Sequence, residues 1–305
     1  MSSQSLAAAD QKTTEIPAGE NLAAKHYGPT PTPVLAVFGA VSDIGLVRTN
    51  NEDHYLVTRR SRTRQILLTN HIGGLLPPTV EEAFVMAVAD GMGGEAFGEL
   101  ASRLVLTTAW ELAPRENTWL LNTGAVSLEL MREKLTAFVQ LIHEALQEYA
   151  RRRPETSSMG TTLTIAYLVG RRVFLGQVGD SRAYLIHGAE CRRLTRDHTL
   201  AEKLIASGAA PEQVTHLRHI LVNHIGAREQ EVALDVEQAL LDDGDWLLLC
   251  TDGLTDQVTD AEIAAVAAES ADPQAACAAL VQRANERGGK DNITVVAGQF
   301  HFPRA

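Results

Sequence analysis

Phe84-Val85-Met86-Ala87-Val88-Ala89-Asp90-Gly91-Met92-Gly93-Gly94 is an unbroken apolar run that ends in one carboxylate and a glycine-rich turn. Ala83 to Ala89 reads as a short strand, with Asp90 standing at its end. Outward from it the same kind of run recurs at Val34 to Val41, Thr161 to Val169, Val173 to Val178, Ala183 to His187, Trp246 to Cys250 and Ile293 to Phe300. Tyr55-Leu56-Val57 adds another. Gly170-Arg171-Arg172 and Gly179-Asp180-Ser181 read as tight turns joining neighbouring strands, which makes much of the sheet antiparallel. Helical spacing of apolar residues covers Gly98 to Leu112, Ser127 to Arg151, Leu200 to Ser207, Asp260 to Glu269 and Pro273 to Arg287. Asp260 and Asp272 read as N-caps, the second followed by Pro273 at the first helical position. Hairpin strands with paired long helices predict an α+β fold, an αββα sandwich of two mostly antiparallel sheets flanked by helix pairs. A parallel doubly wound fold is disfavoured, because too few helices separate the central strands.

Residues 1–33 are rich in Ser, Ala, Thr and Pro and are expected to be disordered, leaving residues 34–305 as a single domain. With 45% hydrophobic and 21% charged residues over 305 positions, the chain can bury a sizeable core. No apolar run reaches the roughly 18 residues of a membrane span, and the start lacks the basic and apolar stretches of a secretory signal. The expectation is a cytoplasmic protein with no membrane partner. The net charge of −11 argues against nonspecific nucleic-acid binding. Cys191, Cys250 and Cys277 are scattered and form no CxxC pair, which argues against a disulfide framework or zinc site. Cys250, at the end of Trp246-Leu247-Leu248-Leu249, reads as a buried small hydrophobe.

Aspartates recur at strand ends. Asp53 follows Asn50-Asn51-Glu52, Asp90 precedes four residues that include three glycines, Asp252 follows the Trp246–Cys250 run, and Asp291 stands just before the last strand. Asp180 lies between two strands. Carboxylates gathered at one sheet end would repel one another without a cation. Two divalent ions carry four positive charges, which matches Asp53, Asp90, Asp252 and Asp291, and oxygen ligands suit Mg²⁺ or Mn²⁺. The glycine after Asp90 lets the backbone approach an ion, so the Gly91 carbonyl is a further candidate ligand. An Asp before Gly is also an ordinary turn signal, and spacing alone does not bring these residues together.

Seven segments taken in order resemble the type 2C metal-dependent protein phosphatases in their bacterial form. They are Ser42-Asp43-Ile44-Gly45-Leu46-Val47-Arg48-Thr49-Asn50-Asn51-Glu52-Asp53, Val88-Ala89-Asp90-Gly91-Met92-Gly93-Gly94, Met159-Gly160-Thr161-Thr162, Val178-Gly179-Asp180-Ser181-Arg182-Ala183-Tyr184, Leu194-Thr195-Arg196-Asp197-His198, Leu249-Cys250-Thr251-Asp252-Gly253-Leu254 and Lys290-Asp291-Asn292-Ile293-Thr294. The resemblance implies a phosphatase that hydrolyses phosphoserine and phosphothreonine by direct attack of a water or hydroxide bridging two Mn²⁺ or Mg²⁺ ions. It implies Asp53, Asp90, Asp252 and Asp291 as ligands with Asp90 bridging, the Gly91 carbonyl beside them, Glu52 acting through water, and Asp180 helping to hold a third, weaker metal. Arg48 matches the arginine that holds the substrate phosphate, a task suited to a guanidinium fork. The implied partners are phosphorylated proteins, Ser/Thr kinases and their substrates, with the chain acting as a monomer.

Other features depart from the pattern or lie beside it. Many eukaryotic members carry a histidine after the Asp-Gly pair, where this chain has Met92, so the general acid is unassigned, with His54 and His198 as neighbours. The segment between Asp197 and Glu231, with His216, His219 and His224, matches the family's flap beside the active site. Ser181 reads as a turn residue hydrogen-bonding locally. The run from Arg59 to Arg64 reads as a solvated loop or a docking surface, followed by a loop at Asn70 to Pro78. A silent regulatory relative and a hydrolase of small phosphate esters are the competing readings.

Overall fold

The computed structural model describes residues 34–63, 67–68, 80–93, 97–116, 127–226 and 231–302. The disorder expected for residues 1–33, the loop at Asn70 to Pro78, and Arg64 of the basic run all lie outside the described residues. The strands form two sheets. One places β1 (Leu35–Asp43), β12 (Ile293–His301), β11 (Trp246–Cys250), β7 (Arg182–His187) and β8 (Glu190–Arg193) side by side in that order. The other runs β10 (Asp235–Leu240), β6 (Arg172–Val178), β5 (Leu163–Val169), β3 (Val80–Met92), then the short β4 (Gly160–Thr161) and β9 (Ile225–Gly226). β2 (Asp53–Thr63) also pairs with β3. Every pairing in both sheets is antiparallel.

The inner faces of the two sheets meet in a dry layer. Phe84, Met86, Val88, Leu168 and Leu175 from one sheet pack with Leu185, Leu247, Leu249, Val296 and Phe300 from the other. The outer faces are covered by helices, which is why the central strands read as continuous apolar runs: all five residues of β11 are buried. Helices α1 (Phe97–Glu116) and α2 (Leu128–Arg152) cover the sheet containing β3. In α2, Met131, Leu135, Val139, Ile142, Leu146 and Ala150 recur every three or four residues and form the buried stripe. Its start is fixed by the Ser127 hydroxyl, which accepts from the Leu130 amide at 3.1 Å. Helices α6 (Asp260–Glu269) and α7 (Pro273–Glu286) cover the other sheet. The result is an α+β sandwich of the αββα kind.

Four local expectations need correction. Thr259, not Asp260, caps α6, because Glu262 three residues on completes a capping box with it; Asp272 caps α7 as expected. The strand expected from Thr161 to Val169 is divided at Thr162, whose amide turns aside to the Asp90 carbonyl at 2.9 Å. The Gly170–Arg172 turn joins the paired strands β5 and β6, but Gly179-Asp180-Ser181 does not join neighbours. It carries the chain from β6 in one sheet to β7 in the other. The Ser181 hydroxyl accordingly bonds across to Thr162 Oγ1 at 2.8 Å rather than locally.

Between β8 and β10 lie α3 (Leu200–Ala206) and α4 (Pro211–Val214), and α5 (Asp252–Thr255) follows β11 directly. Cys250 and Cys277 are buried in the apolar layer under α6 and α7. Among the described residues no helix is long and apolar enough to cross a membrane.

Candidate active site

The strand register brings the aspartates together. β2 begins at Asp53 and pairs it directly with Asp90 near the end of β3. From the facing sheet, β11 hands over to Thr251 and then to Asp252 at the start of α5, while Asp291 precedes the neighbouring β12. The Thr251 hydroxyl crosses between sheets to donate to Asp53 Oδ2 at 2.7 Å. Asp252 and Asp90 line the same cavity. Asp180 reaches the same place from the crossing between β6 and β7. A cavity of about 750 Å³ opens there, walled by Arg48, Glu52, Asp90, Asp180, Asp252 and Asp291. Asp53 lies beneath it, 5% exposed. All the residues expected at the site, including Gly91, are thus in one place.

Close packing makes two glycines necessary. A Cβ on Gly253 would overlap the Asn292 carbonyl, and one on Gly91 would overlap the Gly98 carbonyl of α1. The Gly91 amide instead donates to the Glu52 carbonyl at 3.2 Å, holding the loop before β2 against the end of β3.

Burial dominates the electrostatics. It pushes the Asp53 carboxyl up to about 7, against hydrogen bonds from Thr251 and Thr294 and with help from the charges of Asp252 and Asp291. Burial and then Asp256 and Asp291 push Asp252 up to about 6. Asp90 is raised well above the ordinary carboxylate range by burial and by Asp53, and Asp180 by burial and by Asp252. Carboxyls raised together in this way are held without enough positive charge. Asp53 Oδ1 is enclosed and accepts no hydrogen bond, although Oδ2 does. A buried oxygen aimed among other carboxyl groups is where a cation fits, and a wholly oxygen donor set suits Mg²⁺ or Mn²⁺. Arg48 Nη2 donates to Asp291 Oδ2 at 2.7 Å, so this guanidinium in the cavity wall leans on one of the aspartates.

Asn292, singled out by no spacing argument, organises the rim. Its side-chain amide donates to the Ile44 and Asn50 carbonyls at 2.9 Å each, and its oxygen accepts from the Glu52 amide at 2.8 Å. Ser102 on α1 likewise donates to the Glu52 carbonyl at 2.5 Å. The signal in the sequence was adjacency alone: Asn292 follows Asp291. His54 turns away from the cavity to Ser102, 3.0 Å from its Oγ. His198 is tied into the structure by the Gly179 amide at 3.1 Å, Asn223 at 2.7 Å and Asp235 at 3.1 Å. Of the three histidines in the segment before β10, His219 lines the cavity together with Ile220 and Leu221, while His224 packs near Gly160 and Gly226. The basic run is strand rather than loop as far as Thr63, since Arg59 to Thr63 complete β2 and pair with β3; Arg59 lies 4.0 Å from Glu82.

Residues 78–292 match the family model described as protein phosphatase 2C. The serine/threonine protein phosphatase PstP of Mycobacterium tuberculosis is 32% identical over 262 residues, 85% of this chain. This chain spans 44% of the length of that relative. The protein phosphatase PhpP of Streptococcus pneumoniae is 32% identical over 267 residues, 84% of this chain and 94% of its own. A crystal structure of the PstP catalytic domain in complex with two manganese ions superposes with a TM-score of 0.67 at 30% identity, covering 88% of this chain and 100% of that one.

Proposed function

The chain belongs to the protein phosphatase 2C family, and on that premise we propose that it is a metal-dependent phosphatase removing phosphate from phosphoserine and phosphothreonine in other proteins. The observation that carries this reading is the convergence of Asp53, Asp90, Asp252 and Asp291 on one cavity with an unpartnered oxygen of Asp53 beneath it. Those four side chains and the Gly91 carbonyl would hold two divalent cations, Mn²⁺ or Mg²⁺. Glu52 would act through water, and Asp180 would contribute to a third, weaker position. Two such ions, when bound, acidify a water and neutralise phosphate charge.

The chain's own groups do the rest. Arg48 stands at the cavity wall, where its fork can take two phosphate oxygens once it leaves Asp291. Thr251 and Asn292 fix the carboxylates and the rim. His219, Ile220 and Leu221 close one side and limit what else enters with the phosphate. His54 and His198 are both engaged elsewhere, so neither is assigned as the acid for the leaving oxygen. The partners on this reading are Ser/Thr kinases and their substrates, met in the cytoplasm by a monomer in a signalling role.

The test is phosphate release from a phosphothreonine peptide with Mn²⁺, Mg²⁺ or EDTA, for wild type and Asp252→Asn. Metal-dependent release that falls by orders of magnitude in the variant is expected. Binding of Mn²⁺ without release from peptides or small esters would replace the reading with a regulatory one.

A further inference from the structure

A second concavity, of about 490 Å³, is lined in part by Asp43 and Leu46, from the segment that leads to Arg48. Its floor and walls are Val41 at the end of β1, Leu46 in the loop, and Ala278 and Val281 on α7; Asp43 and Glu286 add carboxylates to its lining. The loop between groove and cavity is held rather than mobile. The Leu46 amide donates to the Gly289 carbonyl at 2.7 Å, the Gly45 amide to Asp43 Oδ1 at 2.8 Å, and Asn285 to the same oxygen at 3.0 Å. On this fixed loop Leu46 is 69% and Val47 65% exposed. Leu46 lines the groove, and Val47 and Arg48 line the cavity, so three consecutive residues of the loop carry the lining of both recesses.

We propose that this groove between β1, Leu46 and α7 receives the segment flanking the phosphoresidue of a protein substrate, taking one apolar side chain followed by a lysine or arginine. The inference rests on the phosphatase reading above and specifies its substrate. Two facts select that chemistry. The groove is lined by Leu46, the residue next to the Val47-Arg48 stretch of the cavity wall, so a chain leaving the cavity over Val47 passes to it. Leu46 and Arg48 are two residues apart, at most about 7 Å along the chain, so the side chain seated in the groove is about two to four positions from the phosphoresidue. An apolar floor lined also by Asp43 and Glu286 complements an apolar residue next to a cation. The other conspicuous cluster, His187 with Asp242 and Asp245, carries no such argument: Asp245 already bonds His187 at 2.6 Å and Arg171 already pairs with Asp242.

The experiment uses full-length protein and phosphothreonine peptides carrying Leu-Arg at two to four positions on either side, against the same peptides with Ala-Glu. Fluorescence anisotropy of the labelled peptides and steady-state hydrolysis are read together. On one side of the phosphoresidue, Leu-Arg is expected to bind about tenfold tighter and to lower KM by a similar factor, with kcat unchanged, since burying one leucine supplies that much. Ala278→Tyr, which fills the groove from an exposed helical position, brings the two peptides to within about twofold of each other. Glu286→Lys removes only the arginine's share and reverses it for a Leu-Glu peptide. Hydrolysis of para-nitrophenyl phosphate stays at the wild-type rate in both variants.

Equal binding of Leu-Arg and Ala-Glu peptides by wild type overturns the proposal. So does discrimination that survives both variants, or a wild-type dimer in sedimentation that Ala278→Tyr dissolves, which would make the groove a self-association surface. If no peptide or ester is hydrolysed at all, the phosphatase reading has failed, and the anisotropy comparison still decides the groove. If Ala278→Tyr fails to fold, Glu286→Lys decides it alone.

Discussion

Thr251 shows how much of the site depends on a residue that touches no solvent. Its hydroxyl donates to Asp53 Oδ2 and accepts from the Thr294 amide at 3.0 Å, fixing which Asp53 oxygen is left to face the other carboxylates. Thr251→Val is expected to lower Mn²⁺ affinity by about 10–100-fold, as loss of a hydrogen bond behind a ligand does, while Thr251→Ser keeps it. Titration calorimetry separates the two. Asp53 itself carries a cost in the metal-free protein. Its carboxyl lies at about 7, above the ordinary 3.8. A carboxyl raised by folding favours the folded state while protonated: that contribution is full below 3.8 and lost as pH climbs through about 7. In EDTA the unfolding temperature of wild type should therefore fall between about pH 5 and about pH 7. Asp53→Asn should flatten that fall and raise the midpoint at neutral pH, while abolishing phosphate release. A steeper fall in the variant would contradict the assignment.

The elements were legible where the apolar period was long and less so where other forces set the geometry. The α2 stripe was plain, and its centre, Ile142, is fully buried. Ile142→Ala should cost about 2–5 kcal/mol in urea unfolding without changing metal affinity. The cap of α6 was misplaced by one residue because Thr259 and Asp260 both favour that position, and only Glu262 distinguishes them. β8 and β10 escaped notice for a different reason. β8 is Glu190-Cys191-Arg192-Arg193 at a sheet edge, and β10 buries only Val236 and Ala239 of its six residues. Neither has the apolar content that marks a strand. The Gly179–Ser181 segment has the composition of a hairpin turn and yet changes sheets, a decision taken by the partners of β7 rather than by the turn. His198, whose ring accepts from the Gly179 amide and reaches Asn223 and Asp235, holds that crossing to the segment before β10. His198→Ala should loosen both, raising KM for phosphopeptides more than for para-nitrophenyl phosphate; equal effects on the two substrates would reduce it to a packing residue.

At the scale of the molecule, the candidate site draws Asp53 and Asp90 from one sheet and Asp252 and Asp291 from the other. The identities of these residues could be picked out from the chain, but their meeting could not, since it depends on the β2–β3 register and on the stacking of the sheets. Cations held there join the two halves of the sandwich, so binding adds directly to global stability. Manganese at 100 times its dissociation constant should add about 2.7 kcal/mol, read as a rise in unfolding temperature that EDTA reverses and that Asp252→Asn lacks. The order of the first sheet carries one more consequence. β12 lies between β1 and β11, and Leu35 pairs with His301, so strands from opposite ends of the described chain are partners. Of the described strands a ribosome releases β12 last, after the whole of the other sheet. The nascent chain therefore carries its four aspartates unassembled until β12 has emerged, however much of the fold is already in place.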